Sequence, residues 1–328
     1  MSLPGDIERA AGILRAGGVV AFPTETVYGL GADAENAGAV ARVFAIKARP
    51  PSHPVIVHVA DAAALDAWCT PIPAVARRLA ERFWPGPLTL ILRRRDRVPD
   101  TVTGGLDTVG VRVPRHDVAL ALLRAFGGGL AAPSANRYGR ISPTTAAHVH
   151  ADLGRDVDFV LDGGPCRIGV ESTIVDVSSG APALLRPGGV TPEELEEVVG
   201  GPVHMRVGGP VRSPGQHPQH YAPRARVVIV DREEIGARAA ALLASGRRVA
   251  VCASSRASDL PGGVEHIVLD PAPADTAREL YAALREVDRR GCDVVLVTMP
   301  EEIGLGVAIA DRLRRAAGLG PGSAGSDY

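Results

Sequence analysis

Apolar and polar positions alternate along the chain in two blocks that an aperiodic stretch separates. Up to about Gly200, short runs of β-branched and aliphatic residues alternate with alanine- and arginine-rich segments of helical periodicity. The predicted strands of this block are residues 19–22, 55–59, 88–92, 109–113, 159–161 and 173–177, and its clearest predicted helices are 61–68 and 74–83. This alternation predicts an α/β fold.

A second, shorter alternation begins at Arg226. Its predicted strands are residues 227–230, 248–252, 265–269 and 293–297, and its predicted helices are 233–244, 276–289 and 307–317. Regular βαβ alternation is typical of a small parallel sheet with helices on its faces.

Between the blocks, glycine, proline, histidine and glutamine dominate. We therefore expect a first, larger domain at residues 1–200, a linker at 201–224, a small α/β domain at 225–318 and a disordered tail at 319–328. The linker is longer than a connection between two packed domains requires, and its prolines restrict the backbone. We interpret it as a lid over an active site.

Composition narrows the function classes. The chain has 36 basic and 37 acidic residues, a balance that argues against a dedicated nucleic-acid or membrane-surface protein. No apolar run approaches the ~20 residues of a membrane helix, so a cytoplasmic location is the default expectation. The four cysteines form no C-x-x-C pair and the nine histidines lack metal-ligand spacing, so we predict buried reduced thiols and no structural metal.

Hydroxyl-bearing side chains and cations recur where predicted strands end. The strand at 19–22 runs into a proline, three polar residues and a glycine-rich turn, and Lys47 and Arg49 follow. Polar segments of the same style occupy residues 132–136 and 169–173, ahead of Ser142 and Arg186. Such donors suit phosphates and carboxylates, which accept several charge-assisted hydrogen bonds. They predict an anion pocket that stabilises charge developing at a phosphoryl group.

Other motifs are weaker. Gly29-Leu30-Gly31-Ala32-Asp33-Ala34 matches G-x-G-x-x-A. A dinucleotide site is nevertheless not indicated, because polar residues separate the motif from the strand and no acidic residue follows at the distance that such a site needs. The chain has no P-loop motif, and no serine lies in G-x-S-x-G, so covalent catalysis is not indicated. Thr144, Thr145 and Thr191 are predicted helix N-caps.

Several motifs together resemble a known family. They are Pro-Thr-Glu-Thr-Val-Tyr-Gly-Leu-Gly at residues 23–31, Lys-x-Arg-Pro at 47–50, Trp-Pro-Gly-Pro-Leu-Thr at 84–89, Val-Arg-Val-Pro at 111–114, Ser-Ala-Asn at 134–136 and Glu-Ser-Thr at 171–173. This set resembles the YrdC-like domain of threonylcarbamoyl-AMP synthases. Ser-Pro-Gly at 213–215 and His-Tyr-Ala-Pro at 220–223, followed by a small α/β domain, resemble the two-domain long form of that family.

The resemblance implies a twisted α/β domain with a concave anion-binding cavity and a smaller Rossmann-like domain with a parallel sheet. It also implies a nucleotidyltransferase that joins L-threonine, bicarbonate and ATP into threonylcarbamoyl-AMP and pyrophosphate. Mg²⁺ would arrive with ATP, and no tightly bound cofactor is expected. A separate transferase complex would use the product to modify an adenosine of tRNA.

Carried over by position, the resemblance implies two groups of binding residues. For threonine they are Thr26, His58, Arg112, Ala132 through its backbone, and Ser172. For ATP they are Arg49, His53, Thr108, Ser134, Ser142, Arg186 and Tyr221. The implied catalytic cluster is Lys47, Arg49, Ser134 and Asn136. The chain departs from the family at His53, where asparagine is common, and at Ala48, where glycine is usual.

Two alternatives remain open. A double-stranded-RNA-binding module would use the same cations on a concave face, although the balanced charge leaves direct RNA binding weak. A carbamoyl transferase of related fold is the nearer enzymatic alternative, but those proteins resemble longer chains with additional domains. A regulatory or partner-binding role for the C-terminal block also remains open, because nothing in its sequence names a ligand.

Overall fold

The computed structural model describes residues 4–206, 220–253 and 260–319. These residues form two compact units. The first holds residues 4–138, 142–167 and 171–206, and the second holds 139–141, 168–170 and the described residues from 220 onward. The α/β fold class is confirmed in both units. Most of the proposed lid, residues 207–219, and the end of the chain, residues 320–328, lie outside the described residues.

The first unit contains a mixed sheet of nine strands in the order β7-β1-β2-β6-β3-β5-β4-β8-β9. The strands are β1 (Val20–Phe22), β2 (Gly29–Asp33), β3 (Ile56–His58), β4 (Leu88–Arg93), β5 (Thr108–Arg112), β6 (Leu130–Ala131), β7 (Phe159–Val160), β8 (Thr173–Asp176) and β9 (Ala183–Arg186). Side-chain alternation gives the central strands two different faces. Val57, Leu90 and Val111 enter the main hydrophobic core, whereas Ile56 and Ile91 belong to a separate small cluster.

The helices of this unit are α1 (Pro4–Arg15), α2 (Ala37–Lys47), α3 (Leu65–Trp68), α4 (Ala74–Phe83), α5 (Asp100–Thr103), α6 (Asp117–Phe126), α7 (Ala146–Leu153) and α8 (Pro192–Val199). Capping side chains determine where some of these helices begin. Thr191 forms a capping box with Glu194, and Thr145 caps α7 by accepting from the His148 amide. The predicted cap at Thr144 is wrong, because Thr144 instead contacts the His148 side chain.

The sequence-based prediction of a glycine-rich turn at residues 29–31 is also wrong. These residues belong to β2, which pairs antiparallel with β1. Both glycines lie against the Phe22 ring, and a Cβ atom on Gly31 would stand 2.8 Å from the Phe22 Cε1 atom. Glycine therefore lets a strand pass under a buried aromatic ring rather than making a turn. The predicted helix at 61–68 divides into a 3₁₀ turn at Ala62–Ala64 and α3.

The second unit has a parallel sheet of four strands in the order β10-β13-β11-β12, as the βαβ alternation predicts. Its elements are β10 (Arg226–Ile229), α9 (Ile235–Ala244), β11 (Val249–Ala253), β12 (Glu265–Val268), α10 (Pro273–Arg289), β13 (Val294–Val297) and α11 (Leu305–Ala316). Apolar side chains of β11, β13 and α9 form its core.

The cysteines are free and buried, as the sequence predicts, and burial raises the pKa of Cys69, Cys166 and Cys252 to about 12. Within residues 4–206, 220–253 and 260–319, no helix combines the length and apolarity that crossing a membrane requires.

Candidate functional site

The segment between β1 and β2 carries the densest polar motif of the first unit. Backbone hydrogen bonds hold it against two other loops: Tyr28 donates to the Pro143 carbonyl at 2.9 Å, and Ala135 donates to the Tyr28 carbonyl at 2.8 Å. Leu30 donates to the Pro133 carbonyl at 2.7 Å. Three of the polar segments found in the sequence, at residues 23–31, 132–136 and 142–145, therefore meet at one place.

Arg112, at the end of β5, is the first buried cation of this site. Its guanidinium Nη2 lies 2.8 Å from the Glu25 Oε2 atom. Nη1 donates to the Thr26 hydroxyl at 3.0 Å, and Nε donates to the Gly86 carbonyl at 3.3 Å. The Thr26 hydroxyl in turn lies 2.8 Å from that of Thr24. The structure thus brings together Arg112 and Thr26, two predicted threonine contacts, and adds a carboxylate.

His58 and Ala132 lie beside Arg112. His58 is opposite Arg112 in the parallel pairing of β3 and β5, and Ala132 donates its amide to the Ile56 carbonyl at 2.9 Å. The His58 side chain is buried, with its ring edge-on to Phe22. Burial, and then the charge of Arg112, lower the pKa of His58 to about 3. The imidazole is therefore neutral at physiological pH.

This shift predicts acid destabilisation of the first unit. The folded pKa of about 3 lies below the unfolded value of about 6.5, so the unfolded chain alone binds this proton between those pH values. The stabilisation that comes from keeping His58 neutral in the folded protein is complete above about pH 6.5, and it is lost as the pH falls towards 3. We expect His58 to lower the free energy of unfolding by about 2 kcal/mol between pH 7 and pH 5.

Denaturant titrations of the wild type and of His58→Gln across this pH range test that expectation. The difference between their free energies of unfolding should change with pH by that amount, because their other titrating groups are shared. A constant difference would contradict the assignment of a buried neutral imidazole.

Lys47, the last residue of α2, is the second buried cation. Its ammonium donates to the carbonyls of Ser134 and Asn136, each at 2.5 Å. Burial, and then the neighbouring charge of Arg49, lower the pKa of Lys47 well below its usual range. An anionic ligand would favour the charged form of this amine.

Arg49 lies two residues beyond α2. Its Nη2 atom donates to the Pro54 carbonyl at 3.0 Å, and its guanidinium stands 5.7 Å from the centre of the Tyr138 ring. The Tyr138 hydroxyl lies 3.2 Å from the His53 Nδ1 atom. Lys47, Arg49, His53, Ser134 and Asn136 therefore form one connected group of predicted site residues.

A third group joins Ser142, the residues just before β8 and the end of β9. Ser142 donates to the Glu171 carboxylate at 2.6 Å. Arg186 donates through Nη2 to the Ser172 carbonyl at 2.8 Å and to the Ser172 hydroxyl at 3.1 Å, and that hydroxyl lies 2.8 Å from the Thr89 hydroxyl. Ser142, Ser172 and Arg186, all predicted site residues, are connected through Glu171.

Two predicted residues belong to none of these groups. Thr108 is buried at the start of β5, and the rise of a strand places it roughly 13 Å from Arg112 along the same sheet face. Tyr221 belongs to the second unit. There its ring lies 5.9 Å from that of Tyr281 and 5.0 Å from the Arg312 guanidinium.

The sequence analysis gave no role to three buried residues that the structure brings into the site, namely Glu25, Thr89 and Glu171. Glu25 and Glu171 lie inside quoted motifs, and a carboxylate among hydroxyl-bearing and apolar residues is the signal that could have found them. Thr89 carries no such signal, since a strand threonine is common.

A cavity of about 670 Å³ lies between α2 and the α5 region of the same unit. Phe44, Ala48, Pro51 and Thr101 line it, and Arg49 is the one predicted site residue on its wall. Apart from Arg49, the predicted site residues of the polar groups described above do not line this cavity.

The fold and the site define an α/β protein whose first unit buries cations and hydroxyl-bearing side chains close together. The family model described as "Telomere recombination" (Sua5, YciO and YrdC) matches residues 12–188, and the model described as "Threonylcarbamoyl-AMP synthase, C-terminal domain" matches residues 190–318. The chain belongs to the threonylcarbamoyl-AMP synthase family, as its motifs predict.

Relatives match nearly the whole chain. The threonylcarbamoyl-AMP synthase of Pyrococcus abyssi is 45% identical over 95% of this chain and 94% of its own length. That of Bacillus subtilis is 43% identical over 95% and 93%. The crystal structure of P. abyssi Sua5 complexed with L-threonine superposes with a TM-score of 0.91 at 44% identity, covering 95% of this chain and 94% of that one.

Proposed function

We propose that this protein is an L-threonylcarbamoyladenylate synthase, which converts L-threonine, bicarbonate and ATP into threonylcarbamoyl-AMP and pyrophosphate. One observation carries the proposal: Lys47, Arg49, Arg112 and Arg186 are each at most 6% exposed within one unit. Burying four cations is unfavourable unless anions complement them, and the substrates together supply a carboxylate, bicarbonate and a triphosphate.

The threonine would bind at the Arg112 group. A guanidinium holds a carboxylate through two parallel hydrogen bonds, and Thr26, His58, Ser172 and the Ala132 backbone would complete the contacts. His58, neutral by virtue of its burial, offers hydrogen bonds without adding charge.

ATP would bind at the Lys47 and Arg186 groups. Arg49, Ser134, Ser142 and Arg186 would contact its phosphates and ribose, with the remaining assigned contacts at His53, Thr108 and Tyr221. The carbamate formed from threonine and bicarbonate would attack the α-phosphorus, and pyrophosphate would leave. The chain's own contribution is to hold the reactants together and to stabilise charge through Lys47, Arg49 and Asn136.

Mg²⁺ would accompany ATP. Among the described residues, no group of three or more histidine, cysteine, aspartate or glutamate side chains could hold a metal ion. The donor set therefore fits phosphate oxygens that themselves hold the ion, rather than a protein cage. Mg²⁺ supplies charge neutralisation on the triphosphate when it is bound.

The product is a reactive adenylate, and a separate transferase that modifies tRNA would consume it in the cytoplasm. The observed burial of the cations does not favour the alternative of an RNA-binding module, which needs its cations on the surface.

The test is pyrophosphate release by the purified protein. Release should require ATP, bicarbonate and threonine together, and the product should carry the threonylcarbamoyl group on AMP by mass spectrometry. Release that does not depend on threonine, or salt-sensitive RNA binding without any ATP turnover, would refute the proposal.

Serine should be a poor substitute for threonine. The two substrates differ by one methyl group, and an apolar contact with that methyl is worth about 1–3 kcal/mol, or roughly 10- to 200-fold in kcat/KM. Competition between the two amino acids in the same reaction measures this ratio directly. Equal specificity constants would show that no such contact exists.

A further inference from the structure

Glu25 is a buried carboxylate in the middle of the site. It lies between Thr24 and Thr26, is 2% exposed, and its Oε2 atom stands 2.8 Å from the Arg112 Nη2 atom. Among the described residues, no donor makes a hydrogen bond to either carboxylate oxygen, and both oxygens are buried, with Oε1 also outside the ion pair with Arg112. A buried ion pair is stable only when its remaining acceptor positions are filled, so Oε1 marks a place for a ligand donor.

Arg112 is fixed on its other sides. Thr26 accepts from Nη1 and the Gly86 carbonyl accepts from Nε, so the guanidinium is held with Glu25 at its Nη2 end. A cation and an anion thus stand side by side in a buried place. Their charges are complementary to an α-amino acid, in which a carboxylate and an ammonium are also adjacent.

We infer that Glu25 is a catalytic residue that binds the ammonium of threonine and accepts its proton. This inference rests on the proposed function. The ammonium transfers a proton to the Glu25 carboxylate, leaving a neutral amine and a carboxylic acid. The amine nitrogen then attacks bicarbonate, forming the carbamate and releasing water. No oxidant or further reactant is required, and the acid returns its proton to solvent after turnover.

Three described groups that interact electrostatically with Glu25 are Arg112, His116 and Cys166. Burial lowers the pKa of His116 and raises that of Cys166 to about 12, so both are neutral near pH 7. The guanidinium of Arg112 stays charged and holds the carboxylate in place.

Glu25→Gln is the direct test, because a glutamine keeps an oxygen for Arg112 but cannot take a proton. At neutral pH we expect kcat/KM for threonine to fall about 100-fold, within the range for loss of a general base. The loss should shrink by about tenfold per pH unit as solvent deprotonates the amine instead. ATP binding, measured by calorimetry, should stay at the wild-type value.

Glu35→Gln is the matched control, since Glu35 is an exposed neighbour in sequence that pairs with Arg97. It should retain the wild-type rate and pH profile. A loss in Glu25→Gln that stays constant with pH would overturn the inference, because it would show that Glu25 only positions Arg112. Wild-type activity in Glu25→Gln would also overturn it.

If the Glu25→Gln variant does not bind ATP, Glu25→Asp tests whether this carboxylate accepts the proton. This variant retains the carboxylate on a side chain that is shorter by one methylene group. The turnover rate of the variant should therefore fall at neutral pH and recover towards the wild-type value at high pH. A rate loss that does not vary with pH in this variant counts against proton transfer. Failure of the wild type to release pyrophosphate with threonine would instead refute the proposed function itself.

Discussion

Replacing Arg49 with alanine is expected to lower the rate of pyrophosphate release by about 100- to 1000-fold, the usual effect of deleting one charge-stabilising donor. Arg49 is buried beside Lys47, and a second cation at this position would stabilise the charge that develops on the phosphates. Its guanidinium donates to the Pro54 carbonyl and lies over the Tyr138 ring, so thermal unfolding must show that the variant is still folded.

Rates at saturating ATP and threonine, together with thermal unfolding, measure this effect. The matched control is Arg42→Ala on α2, the helix that ends two residues before Arg49; the Arg42 side chain is about half exposed and pairs with Asp158 at the surface. That variant should keep its rate, because an exposed ion pair is worth about 0–1 kcal/mol. A folded Arg49→Ala protein with near-normal turnover would rule out a role for Arg49 at the phosphates.

Replacing Asp311 with asparagine is expected to destabilise the second unit by about 3–5 kcal/mol, the effect of removing one partner from a buried ion pair. Asp311 lies on α11, and its two carboxylate oxygens accept from Arg312 at 2.6 Å and from Arg315 at 2.9 Å. The Arg312 side chain is fully buried. The substitution would leave two guanidinium groups without the anion that offsets their desolvation.

Denaturant unfolding, followed by a probe in the second unit, tests this expectation. Glu302→Gln serves as the control, because Glu302 pairs with Arg314 of the same helix while about half exposed. Its effect should stay below about 1 kcal/mol. If both variants unfold at the same denaturant concentration, the ion pairs of Asp311 with Arg312 and Arg315 contribute no more to the free energy of unfolding than a surface ion pair.

Asp311, Arg312 and Arg315 form one ion-pair network, and its member Arg312 contacts Tyr221, the residue that the family resemblance assigns to ATP. The Tyr221 ring packs against Arg312 and Tyr281, and Tyr221 has a φ angle of 62°, in the left-handed region. These contacts hold a side chain whose backbone conformation is otherwise unfavourable. Loss of pyrophosphate release in Asp311→Asn at temperatures where it remains folded would connect this network to the reaction.

Much of the secondary structure could be predicted from the sequence because its periodicities are local. The helix at Ala74–Phe83 and the strand at Leu88–Arg93 follow the predicted segments closely, and all four parallel strands of the second unit lie where the alternation predicts. The short strands β6 and β9 were missed, since two to four residues carry too little periodicity to recognise.

The sequence by itself determined the α/β class, the family and the residue types of the site, because these depend on local periodicity and on motifs of adjacent residues. Only the tertiary structure decided which residues meet. Glu25 pairs with Arg112 and Ser142 with Glu171 across long separations in the chain, and Gly29 and Gly31 form a strand beneath Phe22. Such contacts depend on strand order and on burial, which bring distant segments of the chain together. They therefore produce no recognisable periodicity within either segment.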